Sequence, residues 1–295
     1  MARMDLPLNN FTSRAKKYLG FFKNFYVLII LLIIYIPLIV VLLLSFTGQT
    51  NRGNIVLNFN SLSFNNWKIL FTNDAFLDSL LNSLIISAVV VPVSVFIGVI
   101  TCFGIWNTTK KKELAVIGIS KLSIAIPEPI TAISLALLFS STWVAIGLNF
   151  GLITICLSHI SFCTPYAIVA IYPKMQKMNK NLVMASYDLG YSKVKTFLNI
   201  VIPYLLPAIL SAAAITFAMS LDDFIITNLI NGSTQTISTA IYTTRKGIKA
   251  WVVTFGGFLI IITDFITLIA ALRKIRQNKT IKKLKTARHY ENSTQ

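Results

Sequence analysis

The segment MASYDLGYSKVKTFLNIVIP, Met184 to Pro203, decides how this chain folds. It follows an apolar run from Leu152 to Tyr172 and leads into another from Ile200 to Asn228. A link between two such runs needs only a short polar turn, yet this one carries helix signals of its own. Asn179 or Asn181 can cap a helix through Leu182, Met184, Ala185, Ser186 and Leu189. Gly190 then ends it, because glycine accepts the left-handed conformation that closes a helix. Ser192 caps a second helix that carries Val194, Phe197, Leu198 and Val201 and ends near Pro203. Ala185, Ser186 and Gly190 give the first helix a thin contour that a neighbouring surface can approach. Two readings stand side by side: a hairpin that packs on its own protein, and a helix that docks in the groove of a partner.

The flanking runs set the fold class. The chain has 295 residues, of which 55% are hydrophobic and only 13% charged, and its mean hydropathy is +0.71. Soluble domains hold about 25% charged residues. A core of this size cannot hide so much apolar surface from water, so the chain reads as an integral membrane protein. A span needs about 20 mostly apolar residues. Six stretches qualify: Phe25–Phe46, Ser79–Trp106, Leu114–Phe139, Leu152–Tyr172, Ile200–Asn228 and Trp251–Leu272. All should be helices, since lipid offers no partner to an open strand edge. The expected fold is therefore an all-α membrane protein with six transmembrane helices. Pro127 and Pro129 flank Glu128 and should kink or break the third span. The apolar stretch Trp143 to Leu148 reads as a re-entrant segment or a cover at the outer face.

Charge places the loops. Of 27 Lys and Arg residues, 21 fall in four segments: the N-tail, Lys110 to Lys112, Lys174 to Lys195, and the C-tail. By the positive-inside rule both termini and the 173–203 loop are cytoplasmic. The net charge of +17 is then a matter of topology and attraction to anionic lipid rather than of nucleic acid. The division is a basic cytoplasmic N-tail (1–24), a first transmembrane helix with an external loop (25–78), a transmembrane domain (79–272) and a basic cytoplasmic C-tail (273–295). The first apolar run lacks a small-x-small cleavage site and reads as a permanent span. Cys102, Cys156 and Cys163 lie in apolar runs without metal-ligand spacing and read as small buried hydrophobes. No Gly-x-x-x-x-Gly-Lys-Ser/Thr segment, His-Glu-x-x-His or Ser-His-Asp arrangement occurs, so no catalytic residue is assigned. His159, in an apolar run, reads as a hydrogen-bonded helix–helix contact.

The 184–203 segment resembles the signature loop of type-I ABC importer permeases. That loop reads Glu-Ala-Ala, any residue, Asp-Leu-Gly, then Ile-x-Leu-Pro. Here Met184-Ala185-Ser186-Tyr187-Asp188-Leu189-Gly190 is followed, nine residues on, by Ile200-Val201-Ile202-Pro203. NSLIIS (Asn82 to Ser87) with Gly98 is similar to the family's second span, and IPEPITAISLALLF (Ile126 to Phe139) to its third. SLDDFIIT (Ser220 to Thr227) resembles the hallmark of its spermidine/putrescine branch. The resemblance runs from about Phe25 to Leu272 and implies a type-I ABC importer permease fold in the plasma membrane. It implies a cytoplasmic coupling helix in which Ala185, Ser186, Asp188, Leu189 and Gly190 receive a separate ATP-binding subunit. It implies a second permease subunit, an extracellular solute-binding protein, a polyamine substrate, and ATP with Mg held by the partner ATPase and not by this chain. Thr47 to Asp78 and residues 228–250 are candidate docking surfaces for the binding protein. Met184 stands where the family has Glu, so this position offers no charge for a salt bridge.

Ionisable residues inside spans point to a transport path, because each costs about 2.5–3.5 kcal/mol at mid-bilayer unless paired or wetted. They are Lys121, Glu128, Asp222, Asp223 and Asp264. Asp222 and Asp223 lie about 28 Å along the helix from Pro203, and Glu128 about 21 Å from the start of span three. Three carboxylates at that depth suit a cationic solute, with aromatics such as Phe224 or Trp143 against its apolar stems. Adjacent residues diverge by about 100° on a helix, so one aspartate should face the cavity while the other holds a neighbouring element. The pair can also simply cap a helix end. Lys121 and Asp264 sit at matching depths near the cytoplasmic side and suggest a structural ion pair joining spans three and six. The alternatives left open are a permease for another small solute, an ion-gradient-driven secondary transporter, and a membrane scaffold or insertase.

Overall fold

The structure, a computed structural model, describes residues 9–57, 62–244 and 247–293, with side chains described between residues 25 and 276. The first eight residues of the N-tail and most C-tail side chains lie outside that range. Twelve α-helices follow one another among the described residues. They are α1 (Asn9–Leu44), α2 (Asn65–Leu70), α3 (Asp74–Trp106), α4 (Lys110–Ala125), α5 (Glu128–Thr142), α6 (Leu152–Gln176), α7 (Lys180–Asp188), α8 (Lys193–Thr196), α9 (Ile202–Asp222), α10 (Ile225–Ile230), α11 (Ile237–Tyr242) and α12 (Ala250–Ser293). Six segments of these helices are long and apolar enough to cross a membrane. Helices α1 and α12 run on through residues expected to be tails. Lys and Arg favour helix nearly as well as Leu does, so charge stops the membrane span without stopping the helix.

Two of the expected spans are interrupted. Span three splits at Ile126 and Pro127, both extended (ψ 130° and 132°). Pro127 cannot donate to the helix behind it, and it pushes Ile126 out of the helical region. Span five does not continue to Asn228: α9 ends at Asp222, Asp223 is extended, and α10 starts again at Ile225. No proline or glycine marks that second break; side-chain hydrogen bonds hold it, as described below. At its other end α9 widens into a π turn over Phe197–Val201. Pro203 sits just beyond, and its ring would clash with the carbonyl of Asn199 in a regular helix.

The helices form two compact units, 1–72 with 246–295 and 73–245. In the first, α12 packs along α1 and α2. Trp67 and Phe71 meet Phe258 edge-on there. In the second, α3, α6 and α9 pack together as the central layer. One apolar cluster joins Val95, Val99 and Cys102 to Ile171, Met175 and Leu205 and reaches Val183 of α7. A second joins Ile86 and Val90 to Ile155, Cys163 and Ile226 and reaches Phe139 of α5. Helices α3 and α6 touch backbone to side chain: a Cβ on Gly98 would lie 3.0 Å from the Cβ of Ala167. Small residues allow such approach where lipid supplies no hydrophobic drive between helices. The three cysteines are buried as free thiols in these clusters.

Candidate functional site

The two interruptions border one cavity. A space of about 190 Å³ is lined by Ser123 and Ile126 at the end of α4, Glu128 and Thr131 of α5, Phe162 and Tyr166 of α6, Met219 of α9 and Ile226 of α10. Glu128 opens α5, lies within hydrogen-bonding reach of the Asp223 carboxylate and is close enough to Asp222 to feel its charge. Broken helices turn backbone and polar side chains toward a cavity inside protein, which is where irregular backbone is tolerated at membrane depth.

The two aspartates diverge. Asp222 is exposed, while Asp223 is buried. The Asp223 carboxylate accepts from the backbone N–H of Ile226 at 3.3 Å and of Thr227 at 2.8 Å, so it caps α10. It also accepts from the Thr227 hydroxyl at 2.6 Å and lies 3.2 Å from His159 Nε2. His159 Nδ1 lies 3.0 Å from the Ser220 hydroxyl, which in turn accepts from Ser87 of α3 at 3.4 Å. The Ser238 hydroxyl donates to the Asp223 carbonyl at 2.6 Å and ties α11 to the break. His159 is thus the hydrogen-bonded helix contact that its apolar run suggested, and one aspartate holds neighbouring elements.

The NSLIIS stretch serves the same end. Asn82 donates to the Gln235 carbonyl, Ser83 accepts from the Ile237 N–H, and Ser87 reaches Ser220. Its polar residues bind α3 to the segment beyond α10 and to the end of α9. The expected aromatics do not line the cavity. Phe224 stacks on Tyr242 with centroids 4.5 Å apart, and Trp143 meets Phe139 edge-on. Phe162 and Tyr166 stand in their place. Their signal was faint: both lie in the mainly apolar run of α6, where the polar residues Ser158, His159, Ser161 and Thr164 and the proline Pro165 mark the stretch as special.

The 173–203 loop forms the helix–turn–helix read from its sequence. Asn179 caps α7 by accepting from the Asn181 N–H, and Ser192 caps α8 by accepting from Lys195. Gly190 has φ +81°. The Tyr191 N–H bonds the Ser186 carbonyl and the Gly190 N–H the Tyr187 carbonyl, the paired bonds of a Schellman ending. Leu182, Met184, Ala185, Asp188 and Leu189 are exposed, Leu189 to 78%. Ser186 is a correction to the expected docking set. It is 3% exposed, and its hydroxyl lies 2.8 Å from that of Thr196. Helical spacing turns it away from Ala185 and onto α8, so it clasps the hairpin rather than lining its outer face. Lys180 lies over the Trp106 ring of α3, and Phe103 of α3 packs on Phe197.

Lys121 and Asp264 fall in different units. Neither has an ion-pair partner within its own unit among the described residues. Lys121 lines a second cavity of about 340 Å³ with Lys110, Glu113, Tyr172 and Gln176. Glu113 there accepts from Lys110 at 2.7 Å and from Gln176 at 3.0 Å. The Lys110 ammonium holds its carboxyl below the ordinary glutamate value.

Comparison with known proteins places this architecture. A family model described as "binding-protein-dependent transport system inner membrane component" matches residues 71–274. A spermidine/putrescine transport system permease protein PotC homolog of Mycoplasma genitalium is 44% identical over 284 residues, 94% of this chain and 99% of that one. The homolog of Mycoplasma pneumoniae is 44% identical over 276 residues, 92% and 96% of the two chains. Among solved structures, a chain of a bacterial ABC transporter involved in import of the acidic polysaccharide alginate superposes with a TM-score of 0.67 at 13% identity, over 88% of this chain and 97% of that one. That likeness speaks for the fold alone.

Proposed function

The chain belongs to the family of binding-protein-dependent transport system inner membrane components, and from that membership we propose that it is the permease subunit of an ATP-driven importer of spermidine and putrescine. The solute follows the relatives' names, and the observation that carries it is the cavity at the two helix breaks. It brings Glu128 together with the aromatic residues Phe162 and Tyr166. A polyamine is a chain of ammonium groups on apolar stems, and it needs that combination: anions for its charges and aromatic faces for the rest. An alginate-importing relative in fold carries an acidic polymer, so the fold does not choose the solute. The side chains at the breaks must do so.

The protein is a multi-pass membrane protein of the plasma membrane, with both termini and α7–α8 on the cytoplasmic side by its lysine distribution. ATP and Mg are bound by a separate ATP-binding subunit, which docks on the exposed face of α7. Met184 there is 61% exposed, so this position contributes packing where the family has a charge. A second permease subunit completes the path, and an extracellular binding protein delivers the solute to residues 47–78 and 228–250. ATP-driven closure moves α7–α8 and reaches the cavity through α9, which is continuous with the hairpin.

The test is purification with the ATP-binding subunit, reconstitution, and uptake of labelled spermidine against competing putrescine. ATP-dependent uptake with mutual competition is the expected result. Uptake of a different solute, indifferent to both polyamines, would make it a permease for that solute. Uptake driven by an ion gradient with no ATPase attached would make it a secondary transporter.

A further inference from the structure

We propose that His159 is a positioning residue that acts as the internal counter-group of Asp223, so that Glu128 and Asp222 are the carboxylates this chain presents to a transported cation. The inference rests on the polyamine reading above. A carboxylate offers about four acceptor sites. Asp223 Oδ2 already faces three donors: the Thr227 N–H, the Thr227 hydroxyl and His159 Nε2. Oδ1 takes the Ile226 N–H. Because an ionised carboxylate only accepts, Nε2 must carry the proton and donate. The imidazole also stands 3.0 Å from Thr227 Oγ1 and 3.0 Å from Ser220 Oγ, so one ring pins residues on both sides of the α9–α10 break. His159 and Asp223 side chains are 1% and 2% exposed. Glu128 lines the cavity while Asp223, within hydrogen-bonding reach of Glu128, does not.

The imidazole therefore supplies from inside the protein a donor that Asp223 would otherwise lack. Without that donor, Asp223 becomes an under-satisfied carboxylate next to Glu128. A cation drawn into the cavity would then meet two adjacent carboxylates, bind more tightly and leave more slowly. Interactions that hold ground state and transition state unequally change KM and kcat separately, whereas a packing defect that inactivates a fraction of molecules lowers kcat and leaves KM alone.

The experiment is the cycle of His159→Leu, Asp223→Asn and the double variant in the full transporter. Spermidine uptake by His159→Leu should show KM and kcat both lowered several-fold. The double variant should return both to within about two-fold of wild type, because neutralising Asp223 removes the need for a counter-group. An unchanged KM in His159→Leu, or kcat losses that multiply in the double variant, would overturn the assignment. Thermal unfolding of the same four purified proteins needs no substrate. The double variant should melt no lower than the less stable single variant, and additive losses would refute the pairing even if no polyamine is carried. Absence of polyamine uptake by wild type would sink the transport reading while this second cycle still decides whether His159 serves Asp223.

Discussion

The chain turns before the fifth span and again within it, and the two turns are built differently. Near the hairpin, a single glycine with φ +81° turns the chain at Gly190, and a Cβ added there would meet no atom within 4 Å. At the far end, Asp223 turns it with no glycine at all, in a buried net of His159, Ser220, Thr227 and Ser238. A glycine turn is a backbone device. It leaves its surroundings open, and the apolar side chains around it are free to meet another protein. A hydrogen-bonded turn is a side-chain device. It fixes charge in a buried place, and each of its members depends on the others.

The sharpest way to break this comparison is to remove one member of each kind. Asp223→Ala leaves at least three buried donors without an acceptor and should cost about 3 kcal/mol or more. Asp222→Ala, exposed one residue away, should stay within about 0.5 kcal/mol. Thermal unfolding in detergent measures both, and equal losses would mean that the break is not held by its network. The next effect concerns transport. Glu128→Gln should raise KM for spermidine about ten-fold, the scale of one charge-assisted hydrogen bond, and Asp222→Asn should raise it less because water screens an exposed charge. An equal or reversed order in uptake kinetics would move the cation away from the α5 end of the cavity.

Gly190 gives a smaller effect and separates conformation from contact. Both Gly190→Ala and Gly190→Leu force a side chain into the left-handed region, at about 1 kcal/mol. Only leucine adds bulk toward a partner. ATP-dependent uptake should survive in Gly190→Ala and fail in Gly190→Leu, with both proteins still inserted in the membrane. Parallel loss in the two variants would assign the defect to the turn itself. The smallest effect is at Glu113. Its carboxyl is held below the ordinary value by Lys110, so its contribution is present above the unfolded-state pKa and lost as pH falls through the lowered one. Glu113→Gln should shift the melting midpoint by about a degree or less near neutral pH. That difference should vanish in acid below the ordinary carboxylate range of about 4.

The two turns were not equally legible. Gly190, Asn179 and Ser192 announce a helix–turn–helix because capping and the left-handed turn are local: the residues that make them lie within a few positions of one another. Pro127 announces the break in span three for the same reason. The break at Asp223 was legible only as the alternative that the aspartate pair caps a helix end, through local bonds from Ile226 and Thr227; the distant partners that bury it come from α6 and α11. Two adjacent aspartates could be seen to diverge, but not which one would be buried. That was settled by His159, more than sixty positions upstream in the chain (61 to Ser220 and 64 to Asp223). Ser186 failed for a related reason. Its small size suggested an approachable surface, whereas the neighbour that approaches it is Thr196 of the same hairpin.

Sequence alone determined that this chain is a helical membrane protein with six apolar spans, where its charges gather, and where the backbone must turn, because hydropathy, charge and capping act over short stretches of chain. Only the tertiary structure decided which acid caps a helix and which borders a cavity, and that Phe162 and Tyr166 rather than Phe224 and Trp143 face it. Burial and hydrogen bonding are properties of the packed neighbours, and α3, α6 and α9 become neighbours only after the chain has folded.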